Sequence, residues 1–139
     1  MQCQDMDIKY MLISKLNLIE ELSLEEARKY GYDGIDIVSS SKVLTFVHNG
    51  IVTISSIANQ MGVSRQAVHK IVKNLHEKGF LTLEHHDSKR DKIIIMTAKG
   101  EELLDCRNKV MNKVEKQIAE HIGYENFCQL KKLLKSNWQ

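Results

Sequence analysis

The chain has 139 residues, 42% hydrophobic and 27% charged, with 20 Lys and Arg against 18 Asp and Glu. That is one ordinary domain with apolar content enough for a core, and the near balance of charge argues against wholesale disorder. No apolar run nears the ~20 residues of a spanning helix and no secretory leader is read, while Cys3, Cys106 and Cys128 sit far apart without a C-x-x-C, which excludes a disulfide framework or zinc finger and fits a reducing cytosol.

Proline is absent, which favours long helices. From Asp7 to Tyr30 the residues Ile8, Met11, Leu12, Leu16, Ile19 and Leu22 recur at helical spacing. Ser23 and Glu26 have the spacing of a capping box, but the pattern stays in phase through Ala27, so one long helix is expected. Gly31 to Asp36 reads as a loop. Asp36 or Ser39 is placed to cap a second helix ending near Asn49, and Ile51-Val52 reads as a short strand. Thr53 caps a third helix with Ile54, Ile57, Ala58 and Met61 on one face, and Gly62 stops it. Ser64 caps a fourth, from Arg65 to Lys78, and Gly79 ends it. Residues 80–85 and 92–96 alternate or are β-branched around a polar tip, as in a hairpin. Thr97 caps a fifth helix reaching about His121. Gly123 breaks the chain before a sixth, from Tyr124 to about Trp138.

Residues 53–79 therefore read as helix, glycine turn, Ser-capped helix, the layout of a helix-turn-helix. Val68, Ile71, Val72 and Leu75 make the buried stripe of the fourth helix. Arg65, Gln66, His69, Lys73 and His76 make its other face. A recognition helix needs this division, because its first turn reads base edges while flanking cations hold phosphates. Gln pairs with adenine and Arg with guanine, each bidentately, in the major groove. Ala67 is small enough for close approach of the two helices. The charge is concentrated here: residues 65–99 hold eight Lys/Arg against four Asp/Glu, a net of +4. Residues 1–64 hold five against eight (−3), and residues 100–139 seven against six (+1). The hairpin tip, Asp87 to Lys92, adds Lys89, Arg90 and Lys92. A cationic hairpin directly after a helix-turn-helix is a wing, suited to the negative minor groove.

The run from Ile54 to Gly100, ISSIANQMGVSRQAVHKIVKNLHEKGFLTLEHHDSKRDKIIIMTAKG, resembles the MarR family of transcriptional regulators. Residues 62–68 look like the entry to its recognition helix and Leu75 to Leu81 like its exit. Arg90 stands seven residues before Thr97, as the family's wing arginine stands before its L-T-x-x-G helix start, with Met96 here in place of Leu. The supporting Asp two residues before that arginine is Ser88 here, with Asp87 and Asp91 nearby. The resemblance implies a winged helix in an obligate dimer, and many relatives take a small, often aromatic and anionic effector. Some relatives sense zinc near the second and fifth helices, or peroxide through a first-helix cysteine. This chain has no H-x-x-x-H pair, and the fifth helix has no His before His121. Cys3 precedes the first helix, while Cys106 and Cys128 read as small hydrophobes.

The expected fold is mainly α (α+β): a winged helix-turn-helix at 35–99 between dimerisation helices at 1–34 and 100–139. The stripes Leu103, Val110, Met111, Val114, Ile118 and Phe127, Leu130, Leu133, Leu134 exceed what one lobe covers, which calls for a second copy. The expected function is a repressor binding a palindromic (inverted-repeat) operator in double-stranded DNA as a homodimer. Contacts are expected from Ser64, Arg65, Gln66, His69, Lys70 and Lys73, and from Lys89, Arg90 and Lys92 of the wing. No metal, cofactor or membrane contact is expected, and no catalytic motif is present. The alternatives are a winged helix that binds protein instead of DNA, and a small enzyme using Cys106 or Cys128.

Overall fold

The computed structural model describes residues 6–32, 37–85 and 92–139. Six helices and one hairpin follow in order: α1 (Ile8–Arg28), α2 (Ile37–His48), α3 (Ile54–Met61), α4 (Arg65–Glu77), β1 (Leu81–Glu84), β2 (Ile93–Met96), α5 (Ala98–Ile122) and α6 (Tyr124–Lys135). Asp7 caps α1, its carboxylate accepting from the Tyr10 N–H at 3.1 Å. The helix runs unbroken through Ser23 and Glu26, so no capping box forms there. Ser23 instead donates to the Ile19 carbonyl at 2.7 Å and lies 3.5 Å from Met111 Sδ on α5. α2 already begins at Ile37, so Ser39 lies inside it and does not cap it; Asp36 falls outside the described residues.

The first core cluster fills the space between α2, α3, α4, the hairpin and the start of α5. Val43, Leu44, Ile57, Val68, Val72, Leu75, Phe80, Leu81, Ile94 and Leu103 are all buried in it. Each aliphatic side chain so buried contributes roughly 1.5–3 kcal/mol of transfer free energy. β1 and β2 pair antiparallel, with Leu81 opposite Met96 and Glu84 opposite Ile93. The strand expected at Ile51-Val52 is not formed. That segment gives the sheet one bond, from the Ile94 N–H to the Val52 carbonyl at 2.8 Å.

Thr97 joins the hairpin to α4 and α5 at once. Its Oγ1 accepts from the Gly100 N–H at 3.2 Å, capping α5, and donates to the Gly79 carbonyl at 2.6 Å. Lys99 Nζ donates to the Lys78 carbonyl at 2.7 Å and lies 4.8 Å from the centre of the Phe80 ring. Gly100 is buried against this corner. A Cβ there would collide with the Phe80 carbonyl oxygen and come within 2.7 Å of Met96 Cγ.

A second cluster joins α1 to α5 through buried Ala27, Cys106, Val110 and Val114, with Ile19, Leu22 and Ile118 packed on it. This corrects the sequence reading of the fifth helix. Leu103, Val110 and Val114 are covered within the chain, not by a second copy. α6 buries none of its residues and packs chiefly on α5, with Lys131 Nζ 2.8 Å from Glu115 Oε1. Leu133, Leu134 and Trp138 are each more than half exposed, and so are Ile8, Tyr10 and Leu16 of α1. The last helix ends at Lys135, three residues before the expected Trp138.

Candidate nucleic-acid interface

The turn between α3 and α4 is built by three residues. Thr53 Oγ1 accepts from the Ser56 N–H at 3.2 Å and starts α3. Gly62 ends α3 at φ +68°, a left-handed conformation that costs glycine nothing. Ser64 Oγ then accepts from the Ala67 N–H at 3.1 Å and starts α4. Val68, Val72 and Leu75 face the core at 0–1% exposure, and Ile71 is half-buried beside them. Burying that stripe forces Arg65, Gln66, His69, Lys70 and Lys73 outward, and all five are exposed. Ala67 is exposed as well, so it does not mediate the α3–α4 contact. Ile57 and Ala58 of α3 do that from the buried side.

Three hollows flank the outer face of α4 in sequence. The first is lined by Ser55, Ser56, Asn59 and Arg65 at the turn. The second is lined by Arg65, Gln66, His69, Lys70 and Lys73. The third lies towards the hairpin and is lined by His69, Lys73 and His76 together with Lys92. No carboxylate lines any of them. Among the described residues, none forms an ion pair with Arg65, Lys70, Lys73 or Lys92. The ion pairs lie elsewhere, at Glu26, Glu101 and Glu115. Four fixed positive charges, three on α4 and one before β2, therefore share one surface with no ion pair among the described residues, and α4 also carries an amide and two imidazoles there.

The expected contacts thus divide. Arg65, Gln66, His69, Lys70, Lys73 and Lys92 come together on one side of the molecule. Ser64 stands at the entrance to the same helix, with its oxygen engaged in the cap. Lys89 and Arg90 lie outside the described residues. Ser56, Asn59 and His76 share these hollows but were not among the expected contacts. The signal for His76 was its place two turns beyond His69 on the same face. The signal for Ser56 and Asn59 was their position opposite Ile57 and Ala58.

A further crevice of about 470 Å³ lies between α1, α2 and α5. Leu16, Phe46 and Met111 form apolar walls, and Glu20, Lys42 and Arg107 bring charge to it. No described group of three His, Cys, Asp or Glu side chains is placed to hold a metal. Cys106 is buried, which raises its thiol pKa, and Cys128 is exposed on α6. No described helix is long and apolar enough to cross a membrane.

A helix-turn-helix with a cationic outer helix, followed by a hairpin and closed by a long helix, defines a winged helix-turn-helix protein. The model of the MarR family matches residues 38–91. The chain is 27% identical over 100 residues to the HTH-type transcriptional regulator TcaR of Staphylococcus aureus, over 70% of this chain and 66% of that one. The match thus spans just under two thirds of the relative's length. The fold is similar to that of CouR from Rhodococcus jostii, solved with p-coumaroyl-CoA (TM-score 0.72, 21% identity, 98% of this chain and 94% of that one). It is likewise similar to MepR of Staphylococcus aureus, solved as a DNA complex (TM-score 0.73, 15% identity, 94% and 95%). The family model thus falls on the helix-turn-helix and the segment that follows it, and the whole fold is shared with MarR-family structures, so the chain is similar to the MarR family of transcriptional regulators over this lobe and in overall architecture.

Proposed function

We propose that the chain is a repressor that binds double-stranded DNA as a homodimer at an inverted-repeat operator, and that it carries out no catalysis. The observation behind this is the outer face of α4, where Arg65, Lys70 and Lys73 flank Gln66 and His69, with Lys92 on the same side and no carboxylate among them. Uncompensated cations cost little to bring to phosphates, and a recognition helix reads base edges with the polar side chains between them. Residues 35–99 act as the DNA-binding lobe. Residues 1–34 and 100–139 form the dimer part, a division supported by the uncovered apolar faces of α1 and α6. CouR was solved with an aromatic, anionic ligand. By extension, the crevice beside Lys42 and Arg107 takes a small effector of that character. Such a ligand favours one spacing of the two recognition helices, and affinity for the operator follows that population. The protein works in the cytoplasm, where DNA and such metabolites meet.

The test is selection of bound sequences from a random duplex pool, followed by titration of the enriched duplex. The expected site is an inverted repeat with half-sites ~10 bp apart, centre to centre. With about 6–10 phosphates neutralised per dimer, affinity falls roughly 10³–10⁵-fold between 50 and 200 mM salt. A direct repeat or a flat salt response overturns the model. No enrichment at low salt points instead to a protein-binding winged helix.

A further inference from the structure

The third hollow, about 290 Å³, lies at the far end of the outer face of α4, where that helix meets the hairpin. Ile54 of α3 and Leu83 of β1 give it an apolar floor. His69, Lys73 and His76 of α4 and Lys92 before β2 give it four nitrogen-bearing side chains. On α4 these three stand at intervals of four and three residues, so helical geometry stacks them along one edge. Glu77 and Glu84 are close in sequence but line none of the hollows. Glu84 follows Leu83 in β1 and so points to the opposite side of the hairpin. Among the described residues, the hollow is therefore a concave site lined by two permanent cations, two groups that become cations on protonation, and no acid. The other described histidines, His48, His85 and His121, line none of the three hollows.

We propose that this hollow seats a backbone phosphate of the bound duplex, and that His69 and His76 take up protons as it does, so that DNA binding tightens as the pH falls. The inference rests on the DNA-binding reading above and adds His76 and proton uptake to it. Imidazole ordinarily titrates near pH ~6.5, which makes it the side chain able to change charge near neutrality. An anion seated among such groups favours the protonated form of an imidazole, and a phosphate is that anion. Binding and protonation are then linked. Each proton taken up makes affinity depend on pH by as much as roughly tenfold per unit.

The experiment titrates a fluorescent duplex recovered from the random-pool selection with the full chain at pH 7.5, 6.5 and 6.0, at constant ionic strength. The parent is expected to tighten roughly three- to tenfold per subunit from pH 7.5 to 6.5, with a steeper salt slope at the lower pH as more phosphate charge is met. His76→Gln is expected to bind more weakly at low pH and to lose part of the pH dependence. Combined with His69→Gln it should lose nearly all of it. His76→Lys carries its charge permanently, so at pH 7.5 it is expected to match the parent at pH 6.5. That variant separates charge from shape. Binding that is tight but independent of pH overturns this proposal and leaves the DNA-binding reading standing. A pH slope that survives in the double variant also overturns it. Absence of duplex binding at every pH and at low salt overturns both.

Discussion

On α4 the residues divide into those that place the helix and those that it presents. Ser64 and Gly62 set its start and direction, and their atoms are consumed in doing so. Gln66 lies in the first turn, exposed, with no described partner holding its amide. At that depth a side chain reaches base edges, and a bidentate pair discriminates by about 1–3 kcal/mol. Gln66→Ala is expected to weaken the best site by that amount and relax preference at one position per half-site, with little effect on scrambled duplex. Arg90 stands at the wing tip in the sequence, and its charge is felt by any duplex. Arg90→Ala is expected to weaken operator and scrambled DNA by similar factors and to reduce the salt slope. Paired titrations of both variants on both duplexes check this; a reversed pattern exchanges the two roles.

Between elements, two small junctions hold the DNA-binding lobe to its helical frame. At the first, Thr97 caps α5 and bonds the end of α4, while Gly100 lets α5 lie directly against the Phe80 carbonyl. The T-x-x-G spacing noticed in the sequence thus serves one corner, with a hydroxyl for two backbone groups and a missing Cβ for close approach. Gly100→Ala is expected to destabilise by about 1–3 kcal/mol through overpacking, since backbone cannot move aside as a side chain does. Thr97→Val is expected to cost about 1–2 kcal/mol. Chemical denaturation of both variants measures this, and wild-type stability for Gly100→Ala would show that the corner opens freely. At the second junction, buried Glu26 of α1 lies 2.9 Å from Lys29 and 3.7 Å from Lys113 of α5. The bond from Lys29 holds its carboxyl below the ordinary 4.5. Burial opposes that shift and Lys113 adds to it. A carboxylate with a depressed pKa stabilises the fold fully above pH 4.5, and this is lost as the pH falls through its folded value. Melting temperature is expected to drop below pH 4.5 in the parent and to drop less steeply in Glu26→Gln. Identical acid limbs would exclude Glu26 as a contributor.

At the scale of the whole molecule, the single chain leaves apolar surface that its own elements do not meet. α6 buries nothing, and Leu133, Leu134 and Trp138 stand 51–59% exposed. The outer side of α1 is similar at Ile8, Tyr10 and Leu16. Exposed apolar surface of this kind is what the proposed dimer would cover. Removal of residues 123–139 is expected to convert a two-fold dimer into monomer or aggregate, read by light scattering. A dimer unaltered by that truncation would place the interface elsewhere.

Helix periodicity, caps and glycines determined most of the architecture without any structure. Thr53, Gly62, Ser64, Thr97 and Gly123 mark element ends through bonds made within a few residues, and local bonds are legible in local sequence. The outer face of α4 was legible for the same reason, because its buried stripe repeats at helical spacing. Two things were decided only by tertiary packing. Ile51-Val52 had the composition of a strand, but only one backbone bond reaches it from Ile94. Val110 and Val114 belonged to an apolar stripe whose partner periodicity cannot name, and α1 of the same chain covers them. A helix pattern says which face must be buried. What buries it, and which side chains from distant elements come to line one hollow as His76 and Lys92 do, depends on how the elements pack in three dimensions.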